Sequence, residues 1–186
     1  MTSNIDPNRA IQNTLHWVDK VIIGENLCPF AKKERDQQSI RALCCDEKST
    51  EYTLQALLDE FAYLEENPKT ETTLFILPSS YLDFFDYLDL VDMANQLLVK
   101  EDYEGIFQLA TFHPAYLFDG APADDPSHYT NRSPYPMLHI IREESLEKAL
   151  NHFPNPEAIP ERNIRHAQSL GAEFFKQILG YDSSKH

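Results

Sequence analysis

The chain has 186 residues, 42% hydrophobic and 25% charged, with a formal net charge of −14. That length suits a single domain over 1–186, with an ordered core of about 6–180 that buries enough apolar surface to stand without disulfide or metal. The acidic balance argues against duplex nucleic acid and anionic membranes as partners, and no apolar run approaches the roughly eighteen residues of a membrane-spanning helix. No basic–apolar–small leader pattern opens the chain. The polar ends, Met1–Ile5 and Asp182–His186, are expected to fray. Three cysteines, Cys28, Cys44 and Cys45, point to reduced thiols and a cytoplasmic protein.

A first helix is announced by Asp6 as N-cap and Pro7 at the first helical position. Ile11, Leu15, Val18 and Ile22 mark its apolar face, and Gly24 stops it. Pro29 opens a further helical turn, which places Cys28 at an N-cap. Ser39–Cys45 reads as a strand, with the neighbouring Cys44 and Cys45 pointing to opposite faces. A second helix runs from Ser49 or Thr50, with Leu54, Leu57, Leu58, Phe61 and Leu64 at helical spacing and Pro68 closing it. Thr72–Leu77 is a buried strand. Ser80 with Asp83 makes a capping-box-like start for a third helix, whose buried face is Phe84, Leu88, Val91, Ala94 and Leu98. Strands follow at Ile106–Phe112 and Met137–Arg142, then a short helix at Glu144–Asn151. A last helix is defined by Ile164, Ala167, Gly171, Phe174 and Ile178 and stopped by Gly180.

Four short strands among about five helices predict an α+β fold with a four-stranded mixed or antiparallel sheet. The last two strands, joined without a helix, predict an antiparallel pair. A ferredoxin-like split arrangement with added helices accommodates these pieces.

The long connection between those two strands is the candidate working region. Loops of this length are commonly functional or disordered, and its prolines and aromatic residues argue against disorder. His113 and His139 lie near adjoining strand ends, where two imidazoles are suited to hold a divalent metal such as zinc or iron, or to act as bases; each is equally suited to capping a strand end. Arg132 has the fork for a carboxylate or phosphate, or for a salt bridge to Asp124, Asp125 or Glu143 that closes the loop. Asp124, Asp125 and His128 lack a metal-ligand spacing and read as a solvated turn. Cys28 at a helix start, near Lys32 and Lys33, is either an activated thiolate or a buried inert thiol. Convergence of Cys28, His113 and His139, with Arg132, Asn131, Tyr135 and Arg142 binding substrate, predicts a hydrolase or group transferase acting on a small anionic metabolite. A metal-binding protein using His113 and His139, and a partner-binding module using Tyr116, Phe118, Tyr129 and Tyr135, are the alternatives. No Walker loop, G-x-G-x-x-G, H-E-x-x-H or paired C-x-x-C is present.

Four segments carry a resemblance: Leu27–Ala31, the strand entry Glu71–Leu74, Gln108–Pro114, and Asn131–His139 followed by Arg142 and Glu143. In this order they resemble the bacterial domain of unknown function family fourteen-fifteen, from about Asn13 to Gly180. The resemblance implies a small, stand-alone cytoplasmic protein and favours a common site for these segments. It transfers no activity.

Overall fold

A computed structural model describes residues 5–180. The fraying expected of Met1–Ile5 and Asp182–His186 falls, Ile5 apart, outside the described residues. Helix α1 (Pro7–Trp17) starts as expected, with the Asp6 carboxylate accepting from the Asn8 amide at 3.2 Å. It then widens into a π-helical segment, Val18–Ile23. Gly24 ends that segment for a steric reason: a Cβ there would sit 2.3 Å from the Lys20 carbonyl oxygen. The short α2 (Ala31–Asp36) is followed by β1 (Ile40–Cys44), α3 (Thr50–Glu66) and β2 (Thr72–Ile76). Next come α4 (Phe84–Lys100), β3 (Phe107–Phe112), β4 (Met137–Arg142), α5 (Glu143–Asn151), α6 (Ile159–Leu170) and α7 (Ala172–Leu179).

Three local expectations are corrected. The N-cap of α4 is Asp83 rather than Ser80; its carboxylate accepts from the Phe85 amide at 2.8 Å and the Asp86 amide at 3.2 Å. The Ser80 hydroxyl instead donates to the Glu47 carbonyl. The last helix is two, because Gly171 takes φ +79° and breaks it. The N-cap before α2 is Phe30, so Cys28 does not cap a helix; its carbonyl accepts from the Ala31 amide in the preceding turn.

The sheet is mixed, in the order β1-β2-β4-β3. β1 and β2 are parallel and directly bonded, with α3 as the crossover and no strand between them as a split arrangement would have. β4 runs antiparallel to both β2 and β3. The fold is therefore α+β with a four-stranded mixed sheet and, among the described residues, seven α-helices.

Strand alternation sorts the sheet into two faces. Phe75, Leu138 and Ile140 point to one layer, where Leu57, Phe61 and Leu64 of α3 and Tyr87, Leu90 and Ala94 of α4 are fully buried. Leu74, Ile76 and Met137 point to the other, against Trp17, Val21 and Ile22 from the first helical run and Ala167 and Phe175 from α6 and α7. Burying a side chain of this size contributes about 1.5–3 kcal/mol, so both layers are needed. Inside the α3 layer the buried Glu60 accepts from Arg41 Nε at 2.9 Å and from the Thr73 hydroxyl at 2.7 Å. That pairing lets a carboxylate sit among apolar groups.

Candidate functional site

The two histidines lie on opposite faces of the sheet. His113 continues the β3 residues that face the α3–α4 layer and is fully buried, its ring 5.2 Å from Phe84 and 5.0 Å from Tyr87. Its Nδ1 accepts from the Ala115 amide at 3.0 Å, so Nε2 carries the proton and donates to the Tyr81 carbonyl at 3.0 Å. Burial holds its pKa below the ordinary value, against the hydrogen bond to Tyr81. His139 pairs with Leu74 and faces the other layer, 6.4 Å from the Phe112 ring. Its Nε2 is 2.6 Å from the Thr72 hydroxyl, which itself donates to the Ile140 carbonyl. Burial pushes its pKa down to about 4, so it is neutral at physiological pH. No shared metal or catalytic role can join two imidazoles on opposite sides of one sheet. Among the described residues no three His, Cys, Asp or Glu side chains are placed to hold an ion.

Cys28 is half-buried and packs against the layer that His139 faces, so it shares a side with His139 and not with His113. Its loop is gripped by α6: Asn163 Nδ2 donates to the Leu27 carbonyl at 2.7 Å and Arg162 Nη2 to the Asn26 carbonyl at 2.6 Å. Arg142 is spent on the backbone. Its guanidinium donates to the carbonyls of Leu64, Asn67 and Thr70, closing the carboxyl end of α3 where helix carbonyls lack partners. Asn131 is likewise a brace, its Nδ2 donating to the Thr111 carbonyl at 3.0 Å. The 113–136 loop is held further by the buried Tyr87 hydroxyl, which donates to Met137 O at 2.7 Å and accepts from the Phe112 amide at 3.1 Å.

The Asp125 region differs from the expected solvated turn. Asp125 caps a short 3-10 helix, Pro126–Thr130, and His128 is fully buried, Nδ1 accepting from the Phe118 amide and Nε2 donating to the Pro122 carbonyl. Tyr116 packs 5.3 Å from Phe84, Phe118 stacks on His128, and Tyr129 stacks on Phe175 at 5.0 Å. These rings anchor the loop to the core. Arg132 lies over the Tyr129 ring at 4.7 Å and donates Nε to the Tyr116 carbonyl at 3.0 Å. Its two terminal nitrogens have no protein partner among the described residues.

Tyr135, one of the predicted binding residues, lines a hollow. The hollow, of about 310 Å³, lies between α1, the Pro134–Tyr135 turn and the end of α7. Arg9, Asn13, His16 and Trp17 line one side, Pro134 and Tyr135 another, and Ile178, Leu179 and Gly180 the rest. In a chain of net charge −14, none of these residues is acidic. Arg9 and His16 are exposed and have no ion pair or hydrogen bond among the described residues. The Tyr135 hydroxyl accepts from Asn13 Nδ2 at 2.9 Å, leaving its own proton to donate. Trp17 is 2% exposed, sits edge-on to Phe112 at 5.4 Å, and its indole N–H is buried without an acceptor. Arg9, Asn13 and His16 were overlooked in the sequence, although positions i, i+4 and i+7 place them on one helical stripe beside the only tryptophan.

A family model described as protein of unknown function, DUF1415, matches residues 9–177. No curated protein and no solved structure matches the chain.

Proposed function

The chain belongs to the DUF1415 family of unknown function, and from that premise we propose that it binds a small anionic metabolite in the hollow beside α1. One observation carries this reading: in a strongly acidic chain, a hollow with no acidic residue in its described lining holds two cationic or protonatable side chains that have no partner among the described residues. Anions are repelled by most of such a surface, so a pocket meant for one must exclude acid locally. Arg9 and His16 attract the charge, and the Tyr135 hydroxyl and Asn13 orient it. Ile178, Leu179 and Pro134 receive an apolar portion, with Trp17 packed beneath them. Arg132 does not line the hollow, but it lies three residues before Tyr135 and interacts electrostatically with Lys176 of α7, so it adds positive potential nearby. The supported role is binding. The Cys28, His113 and His139 set does not come together to supply chemistry, so hydrolysis or group transfer would need groups brought by another route.

Because Trp17 is the only tryptophan, its emission reports on this hollow. Titration with inorganic phosphate, acetate and benzoate should change that emission and raise the melting temperature. Both responses should be lost in Arg9→Ala combined with His16→Ala, and weakened several-fold in Tyr135→Phe. No response to any of these anions, or an undiminished one in the double variant, removes the reading.

A further inference from the structure

A second hollow, of about 500 Å³, lies beyond the carboxyl ends of the parallel pair β1 and β2. It is bordered by the segments that leave these two strands, carrying Lys48 and Thr50 after β1 and Ser79 and Tyr81 after β2, and by Asp86 and Asp89 on α4. Here the two segments are locked to each other: the Ser80 hydroxyl donates to the Glu47 carbonyl at 2.6 Å and the Tyr81 hydroxyl to Thr50 Oγ1 at 3.0 Å.

Three features mark this hollow as built. Tyr81 adopts φ +54°, a left-handed conformation that costs a bulky residue on the order of 1–3 kcal/mol. That strained peptide is held by His113, whose proton-bearing nitrogen is bonded to the Tyr81 carbonyl. A fully buried imidazole is thus used to fix the shape of the hollow's wall. Second, the Ser79 hydroxyl oxygen is buried and has no hydrogen-bond partner among the described residues. Third, Lys48, Asp86 and Asp89 are exposed, carry opposite charges around one hollow, and make no ion pair among the described residues, with each other or with anything else. Opposite charges that share a cavity without bridging it are matched by a ligand that bears both signs.

We propose that this hollow binds a small zwitterion of amino-acid size, its ammonium between Asp86 and Asp89 and its carboxylate toward Lys48 and the amino end of α3. The Ser49 side chain makes no cap bond to the first-turn amides of α3, and Thr50 at that helix start borders the hollow, so no competing cap takes up the positive end of the helix dipole. The site is separate from the anion hollow beside α1 and shares no lining residue with it.

The test screens the full-length protein by thermal shift and calorimetry against the free amino acids, with ethanolamine and acetate as single-charge controls. At least one amino acid should bind, at least tenfold more tightly than either control. Its affinity should fall at least tenfold in Lys48→Met and in Asp86→Asn combined with Asp89→Asn. These side chains are exposed, so the variants keep the fold. The absence of binding by every amino acid, equal binding of ethanolamine or acetate, or undiminished affinity in both variants overturns the proposal.

Discussion

The two faces of the sheet use similar residues for different ends. On the α3–α4 face, His113 has both ring nitrogens engaged and two aromatic rings around it, and it stabilises a strained peptide. On the α1 face, His139 uses one nitrogen on Thr72, while His16 and Arg9, at a hollow, have no partner among the described residues. The arginines divide in the same way. Arg142 is consumed by three carbonyls, and the terminal nitrogens of Arg132 have no partner among the described residues. An identical functional group is structural where the backbone uses up its hydrogen-bonding capacity, and available for a ligand where it does not.

The largest expected effect tests this contrast directly. His113→Ala removes a fully buried ring and strands the Tyr81 carbonyl and the Ala115 amide. It should cost about 4 kcal/mol in denaturant unfolding. His139→Ala should cost clearly less, because one hydrogen-bond partner is lost rather than two; equal losses would erase the distinction.

Acid should act next in size, through the same pair. A histidine whose folded pKa is depressed binds a proton more readily when unfolded, so its contribution is complete above the ordinary value of 6.5 and declines as pH falls toward the folded value. For His139 that window runs from 6.5 down to about 4. At about 1.4 kcal/mol per pH unit it amounts to roughly 3 kcal/mol. Unfolding midpoints from pH 7.5 to 4.5 should show this slope in the parent protein and a flatter one in His139→Gln. An unchanged slope in the variant would assign the acid sensitivity elsewhere.

The smallest effect separates the arginines. Arg142→Ala should destabilise by about 2 kcal/mol, since it uncaps the end of α3, and leave the anion response of Trp17 intact. Arg132→Ala should change stability by less and weaken that anion response. A stability loss in Arg132→Ala as large as in Arg142→Ala would place both in the same structural role.

Secondary structure was legible wherever a local rule governs it. Helical spacing in α3, the β-branched run of β2, and Asp6 with Pro7 before α1 each carry their own signal, and the antiparallel pair β3–β4 followed from the missing helix between them. Errors arose where a competing partner lay far away in sequence. Ser80 looked like a cap because nothing nearby shows that Glu47 takes its hydroxyl. His128 looked solvated because its partners, the Phe118 amide and the Pro122 carbonyl, meet it only once the loop folds back.

The chain's own letters determine an acidic α+β protein with four short strands, and they mark the segments that the family shares. Whether those segments' reactive side chains meet was decided only in three dimensions. The register sets His139 opposite Ala110, three residues before His113, so alternation along the strand sends the two imidazoles to opposite faces of the sheet. The stripe of Arg9, Asn13 and His16 became one wall of a hollow because Tyr135, more than a hundred residues later, packs opposite it. No local pattern encodes that distance; it is set by which helices the sheet's second face must bury.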